Sequence, residues 1–151
     1  MKKIISTILV AILVLSLCSC NFGHIEDTNG ENDHTLCSLT EEDLLSGSNS
    51  FVQNVATKNR VGNKITYKVN KFSGVNTIAN EYFSNEAELT IDTCFVLSQG
   101  NARIAVIVNG EISCDIPEGE STATIAVPAD TSVVIRLAGE SAGFDLSIEL
   151  N

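Results

Sequence analysis

The stretch at residues 143–150, GFDLSIEL, alternates strictly: Phe144, Leu146, Ile148 and Leu150 fall on one face of an extended chain, and Asp145, Ser147 and Glu149 on the other. A period of two makes a strand that is buried on one side and wet on the other; wound as a helix, the same residues would scatter around the axis. The pattern recurs in KITYKV (Ile65, Tyr67 and Val69 against Thr66 and Lys68), in ELTIDTCFVL (Leu89, Ile91, Phe95, Leu97) and in ATIAV (Ile125, Val127). Two runs, RIAVIV at 103–108 and SVVIRL at 132–137, are apolar at nearly every position, as strands covered on both faces are.

Turn signals punctuate these runs at Ser73–Gly74, at 99–101 (QGN), at Asn109–Gly110, at 118–120 (EGE), at 128–130 (PAD) and at 138–143 (AGESAG). Asn-Gly between two apolar runs is the strongest of them, because a type I′ hairpin needs positive φ at both central residues. Counting a strand between each pair of signals predicts an all-β domain over residues 51–151, an antiparallel β-sandwich of jelly-roll or Greek-key kind with eight or nine strands.

The amino-terminal third is composed differently. Lys2 and Lys3 precede a fourteen-residue run, Ile4 to Leu17, broken only by Ser6, Thr7 and Ser16, the layout of an export signal. It falls short of the roughly 20 apolar residues of a bilayer-spanning helix. Residues 20–50 are rich in Asn, Asp, Glu, Ser, Thr and Gly and are expected to form a flexible acidic tether. Within it, Thr40 followed by Asp43 in LTEEDLL resembles a capping box and predicts one helical turn, stopped by SGSNS at 46–50.

The box at the end of the apolar run, LCSC at 17–20, resembles the lipobox of bacterial lipoproteins, in which an aliphatic, a variable and a small residue precede the acceptor cysteine. Cys20 fits, with Leu17 and Ser19 in those positions, whereas Cys18 follows the bulky Leu17. The resemblance implies a signal peptide over residues 1–19, cleavage between Ser19 and Cys20, a diacylglycerol thioether on Cys20 and acylation of its amine. Two or more acyl chains anchor stably where one binds only marginally. On this reading the partner is the membrane, through Cys20, and the domain faces outward from the cell membrane.

GNARIAVIVNGEI and TSVVIRLAGESAGFDLSIEL resemble the carboxy-terminal halves of small lipoproteins of Gram-positive bacteria, and are loosely similar to the non-catalytic β-sandwich of the pre-peptidase C-terminal type appended to secreted peptidases. Those appended domains carry acidic residues on the strand written here as ARIAVIV, which has none, so no calcium role is carried over.

Chemistry is sparse. Both histidines, His24 and His34, lie in the tether, so the domain has no imidazole to activate a nucleophile. A carboxylate-based hydrolase would need a buried pair, yet Asp92, Asp115, Asp145 and Glu149 fall on faces that alternation predicts to be solvated. No catalytic residue, no cofactor and no metal site are assigned; DTNGEND at 27–33 and His34 with Cys37 are fragments of calcium and zinc patterns. A net charge of −10 argues against nucleic acid as a partner.

With Cys18 and Cys20 accounted for, Cys37, Cys94 and Cys114 remain. A hairpin at 99–101 would set Cys94 near Ala105 or Ile107, and the Asn109–Gly110 hairpin would set Cys114 opposite Ala105. That separates the two by about two strand spacings, beyond the roughly 7 Å that a disulfide allows. Parity places Cys114 inward with Ile112 and Ile116.

Lys64 and Lys68, on the face opposite Ile65, Tyr67 and Val69, form a strip suited to an anionic polymer. Tyr82 is the aromatic residue left for ligand contact, since the chain has no Trp and Tyr67 falls on the apolar face. The main reading of function is a membrane-anchored, non-catalytic interaction domain for a surface protein or envelope polymer, preferred because the anchor has a motif and catalytic groups are missing; the alternative is a lipid-anchored module for a small ligand or carbohydrate. A cleft lined by Tyr82 would favour the second.

Overall fold

The computed structural model describes residues 40–151. The export signal, Ser19 and Cys20, the candidate metal fragments at 27–33 and at His34 and Cys37, and the tether up to residue 39 lie outside the described residues. The described part consists of a short helix, α1 (Glu41–Leu45), and six antiparallel strands: β1 (Ser50–Val61), β2 (Lys64–Phe83), β3 (Ala87–Val108), β4 (Glu111–Ile116), β5 (Gly119–Val127) and β6 (Thr131–Leu150).

Six strands replace the expected eight or nine because three of the turn signals do not reverse the chain. Ser73–Gly74, 99–101 and 138–143 are bends inside β2, β3 and β6, each marked by shifts in pairing register. Serine and glycine permit a bulge as readily as a hairpin, and a bulged strand changes direction without ending. Gly100 shows the need: its φ is +67°, and a Cβ there would lie 2.4 Å from the carbonyl oxygens of Glu140 and Ser141 on the neighbouring bend.

The bends divide each long strand into two parts and the sheet into two five-stranded halves. The first half runs β1–β2–β6–β3–β5, using residues 56–61, 64–69, 144–150, 87–97 and β5; the second runs β1–β2–β6–β3–β4, using 50–54, 72–83, 131–140, 101–108 and β4. One buried cluster serves both, with Ile65, Tyr67, Phe144 and Leu146 from the first half and Ile104, Val106, Ile135 and Leu137 from the second. This is the expected sandwich, made by folding one set of strands over rather than by stacking separate sheets.

Alternation holds where it is clearest: Phe144, Leu146 and Ile148 are buried and Asp145 is exposed. The Asn109–Gly110 hairpin also forms, but its register is not the expected one. Val108 pairs with Glu111 and Ile107 with Ile112, then a bulge at Ser113 sets Cys114 against Val106 rather than Ala105. Parity therefore reverses: Cys114 and Ile116 face the main core, while Ile112 packs on the opposite side. Cys94 sits in the first half, opposite Glu120 and Ser147, and both thiols are free. Burial and the neighbouring Asp115 charge push the Cys114 thiol up from its ordinary pKa.

The second half is covered on both faces, which accounts for RIAVIV and SVVIRL. Its outer cover is supplied by residues 40–49, ten residues that composition assigns to the tether. Thr40 caps α1 with a full capping box, and Leu44 is wholly buried against Val75, Ala105, Ala138 and Ile112. The two alanines leave the slot that Leu44 fills. The segment is tied down by Glu41 on Arg103 (3.4 Å) and by the Asn49 side-chain oxygen, which accepts from Thr77 N–H (2.9 Å) and Thr77 hydroxyl (3.0 Å). Arg103 also grips Asp115 with two bonds, 2.9 and 3.1 Å.

Candidate binding site

The residues singled out in the sequence divide between two regions of the surface. The outer face of the first half is uncovered and largely polar, with Val96 exposed on it. Lys64, Thr66 and Lys68 lie on it, but they do not form an isolated cationic strip: Lys68 is paired with Asp145 at 2.9 Å, and the register sets Lys64 against Glu149. Two shallow troughs of about 460 and 430 Å³ run over this face and share Cys94 and Ser147. Asp92 and Glu120 complete a mixed, acid-rich surface.

Tyr82 lies elsewhere, at the end of the sandwich remote from the bends. A bulge between Thr77 and Ala79 lets both Ile78 and Ala79 enter the core, and this resets the parity of β2 so that Tyr82 points outward while Phe83 packs inward. Tyr82 is 65% exposed. It is also held in place, because its hydroxyl donates to Asp130 Oδ1 at 2.9 Å, and Asp130 occupies the left-handed region (φ 56°) in the turn between β5 and β6. An exposed aromatic ring with a fixed orientation is a platform, since the entropy of ordering it is lost on folding rather than on binding.

Around Tyr82 is a cleft of about 340 Å³, lined among others by Arg60, Asn63, Glu81, Glu88 and Asn151. Arg60 comes from the end of β1 in the first half and reaches Glu81 in the second, with Nη1 2.5 Å from Oε1; this partner raises the guanidinium pKa above its ordinary value. Asn63 sits in the β1–β2 turn, where its Nδ2 donates to Asn151 Oδ1 (2.8 Å) and its carbonyl accepts Leu150 N–H (3.1 Å). The chain of contacts continues from Asn151 Nδ2 to Asp92 Oδ2 (3.0 Å), whose other oxygen accepts the Thr122 hydroxyl (2.6 Å). The result is an aromatic face beside fixed planar donors and acceptors: a guanidinium, carboxylates and two amides.

Tyr67, by contrast, is 2% exposed and unavailable, with its hydroxyl given to Gln53 Oε1 and Lys58 Nζ 5.9 Å from its ring centroid. Burial raises its pKa. Of the polar and aromatic cleft residues, Tyr82 is the one that sequence reasoning found; it missed Arg60, Asn63, Glu81, Glu88 and Asn151, and also Asp130, the partner of the Tyr82 hydroxyl. The available signal was Arg60 standing three residues before Asn63 across a Gly62 turn; nothing local pointed to Asp130 or Asn151.

Carboxylates line both regions, Glu81 and Glu88 in the Tyr82 cleft and Asp92, Glu120 and Glu149 in the outer trough. Asp115 and Asp145 are exposed and ion-paired, while Asp92 and Glu149 lie on the open outer face. Among the described residues there is no histidine and no group of three or more potential metal ligands.

No family model matches the chain, and no curated protein matches it. Among solved structures it is similar to CBM35 from Paenibacillus barcinonensis, with a TM-score of 0.39 and 11% identity over 67% of this chain and 91% of that one. Likeness at that level transfers no residue and no ligand, so function has to be argued from this chain's own surface.

Proposed function

We propose that this chain is a non-catalytic carbohydrate-binding module, held on the outer face of the cell membrane by lipid on Cys20 after cleavage behind Ser19. The observation that carries the binding assignment is the Tyr82 cleft. Sugars present an apolar C–H face and a rim of hydroxyls, and they are held by an aromatic platform flanked by planar groups that donate and accept in pairs. Tyr82 supplies the platform; Arg60, Glu81, Asn63 and Asn151 supply the rim. The anchor rests on the lipobox-like LCSC, and it makes an envelope glycan the natural ligand.

Calorimetric titration with purified envelope glycan tests the binding assignment. Tyr82→Ala is expected to weaken binding by about tenfold or more, as removal of an aromatic anchor does. Tyr82→Phe keeps the ring, loses the bond to Asp130 and is expected to lose less. Equal affinity in wild type and Tyr82→Ala would remove the assignment. The anchor has its own test: mass spectrometry of membrane-bound protein should find Cys20 as a diacylated or triacylated amino terminus, and an unmodified Cys20 behind an intact Met1 would refute it.

A further inference from the structure

A second site lies on the opposite region of the sandwich, beneath the segment that carries α1. β6 places Ile135 and Leu137 in the main core, so Arg136 between them projects to the outer side of the second half, under residues 44–48. It is 2% exposed, in an otherwise apolar run. Nη2 donates to the Ser48 carbonyl oxygen; Nε is buried with no hydrogen-bond partner, and among the described residues no carboxylate pairs with the guanidinium. The other arginines of the domain, Arg60 and Arg103, both have carboxylate partners.

A buried cation without a counter-ion is among the costlier arrangements a fold can contain, and an apolar residue of similar volume at that position would be neutral or stabilising. Burial lowers the guanidinium pKa from its ordinary value, yet Arg stays charged in proteins and cannot escape by losing its proton. Arg136 lines a pocket of about 240 Å³ together with Leu44, Leu45, Ile107, Val134 and the backbone of Gly47. Leu45, on the rim, is 42% exposed.

We infer that this pocket is a binding site for a small aliphatic monocarboxylate, whose carboxylate pairs with the Arg136 guanidinium and whose hydrocarbon chain lies among Leu44, Leu45, Ile107 and Val134. The carboxylate supplies the negative charge that the guanidinium lacks, while the mainly apolar lining, with Asn109 and Ser132 as its other polar side chains, disfavours a hydrophilic anion such as phosphate. The site is separate from the Tyr82 cleft, and neither assignment depends on the other.

The test titrates the purified full-length chain with sodium hexanoate, with hexanamide and hexylammonium chloride in parallel. Saturable binding of hexanoate, and not of the amide or the amine, is expected. Arg136→Met should weaken hexanoate by about thirtyfold or more, the effect of removing one partner of a buried charged pair. Val134→Trp, which fills the pocket and keeps the charge, should also abolish binding, and Tyr82→Ala should leave it unchanged. Hexanoate binding no tighter than hexanamide in the wild type, or equal in wild type and Val134→Trp, overturns the inference even if Arg136→Met fails to fold.

Discussion

The edge of one ring meets the face of another where Tyr67 and Phe144 pack, their centroids 5.3 Å apart and their planes at 89°. Phe144 also makes edge contacts with Phe72 (6.3 Å) and Phe95 (5.9 Å), so one ring joins β2, β3 and β6 next to the bends. Such a ring combines area burial with favourable aromatic geometry. Phe144→Ala is expected to cost about 3–5 kcal/mol. Phe144→Leu, which keeps most of the volume, should cost less than half of that. Urea denaturation monitored by circular dichroism checks both, and equal losses would mean that the ring contacts contribute little.

The bends make a sharper prediction. Gly100 and Gly110 both have positive φ, +67° and +78°, but a Cβ on Gly110 meets nothing within 4 Å whereas one on Gly100 meets backbone oxygens at 2.4 Å. Gly110→Ala should therefore cost only the left-handed penalty of about 1–2 kcal/mol. Gly100→Ala adds a clash with backbone that cannot move aside, and should cost about 3 kcal/mol or more. Thermal melts of the two variants compare them directly; similar losses would show that the bend tolerates a side chain.

These positions show why part of the fold is legible in the sequence and part is not. Alternation at 143–150 and 64–69 depends on one strand and one solvent boundary, so the sequence displays it without ambiguity. Bulges at Ser113 and Ile78 each reverse parity, and each is set by pairing with a neighbouring strand rather than by the residues themselves. Gly100 and Gly110 carry the same chemistry; only the neighbour that approaches Gly100, residues 140–141, distinguishes a bend from a hairpin. The candidate site divides in the same way. Tyr82 stands out as an aromatic residue without an apolar stripe, but its anchor Asp130 lies 48 residues away and Asn151 lies 88 residues from Asn63.

Residues 40–49 belong to the domain, and their removal should show it. Leu44 is fully buried in its own small cluster, and full burial of a leucine contributes about 1.5–3 kcal/mol. Leu44→Ala is expected to cost about 2–5 kcal/mol, since a cavity is left between the cover and the sheet. Compared with a chain beginning at Thr40, one beginning at Phe51 exposes Val75, Ala105 and Ala138 and should melt lower. Equal melting temperatures for the two would mean that the cover does not stabilise the sheet.

The same segment should loosen in acid. The Asp43 carboxylate accepts the Thr40 backbone N–H at 2.7 Å and the Thr40 hydroxyl at 2.9 Å, and these bonds, the backbone one foremost, hold its pKa below the ordinary carboxylate value. A depressed pKa in the folded state means that the unfolded chain takes up its proton first as the pH falls. The stabilisation is therefore complete above the unfolded value, about pH 4, and is lost as the pH drops through the lower folded one. Asp43→Asn should be less stable than wild type near neutrality, and the difference should shrink progressively below about pH 4. Urea midpoints measured across that range for both proteins give the answer; a difference that stays constant with pH would show that the cap does not depend on the charge of Asp43.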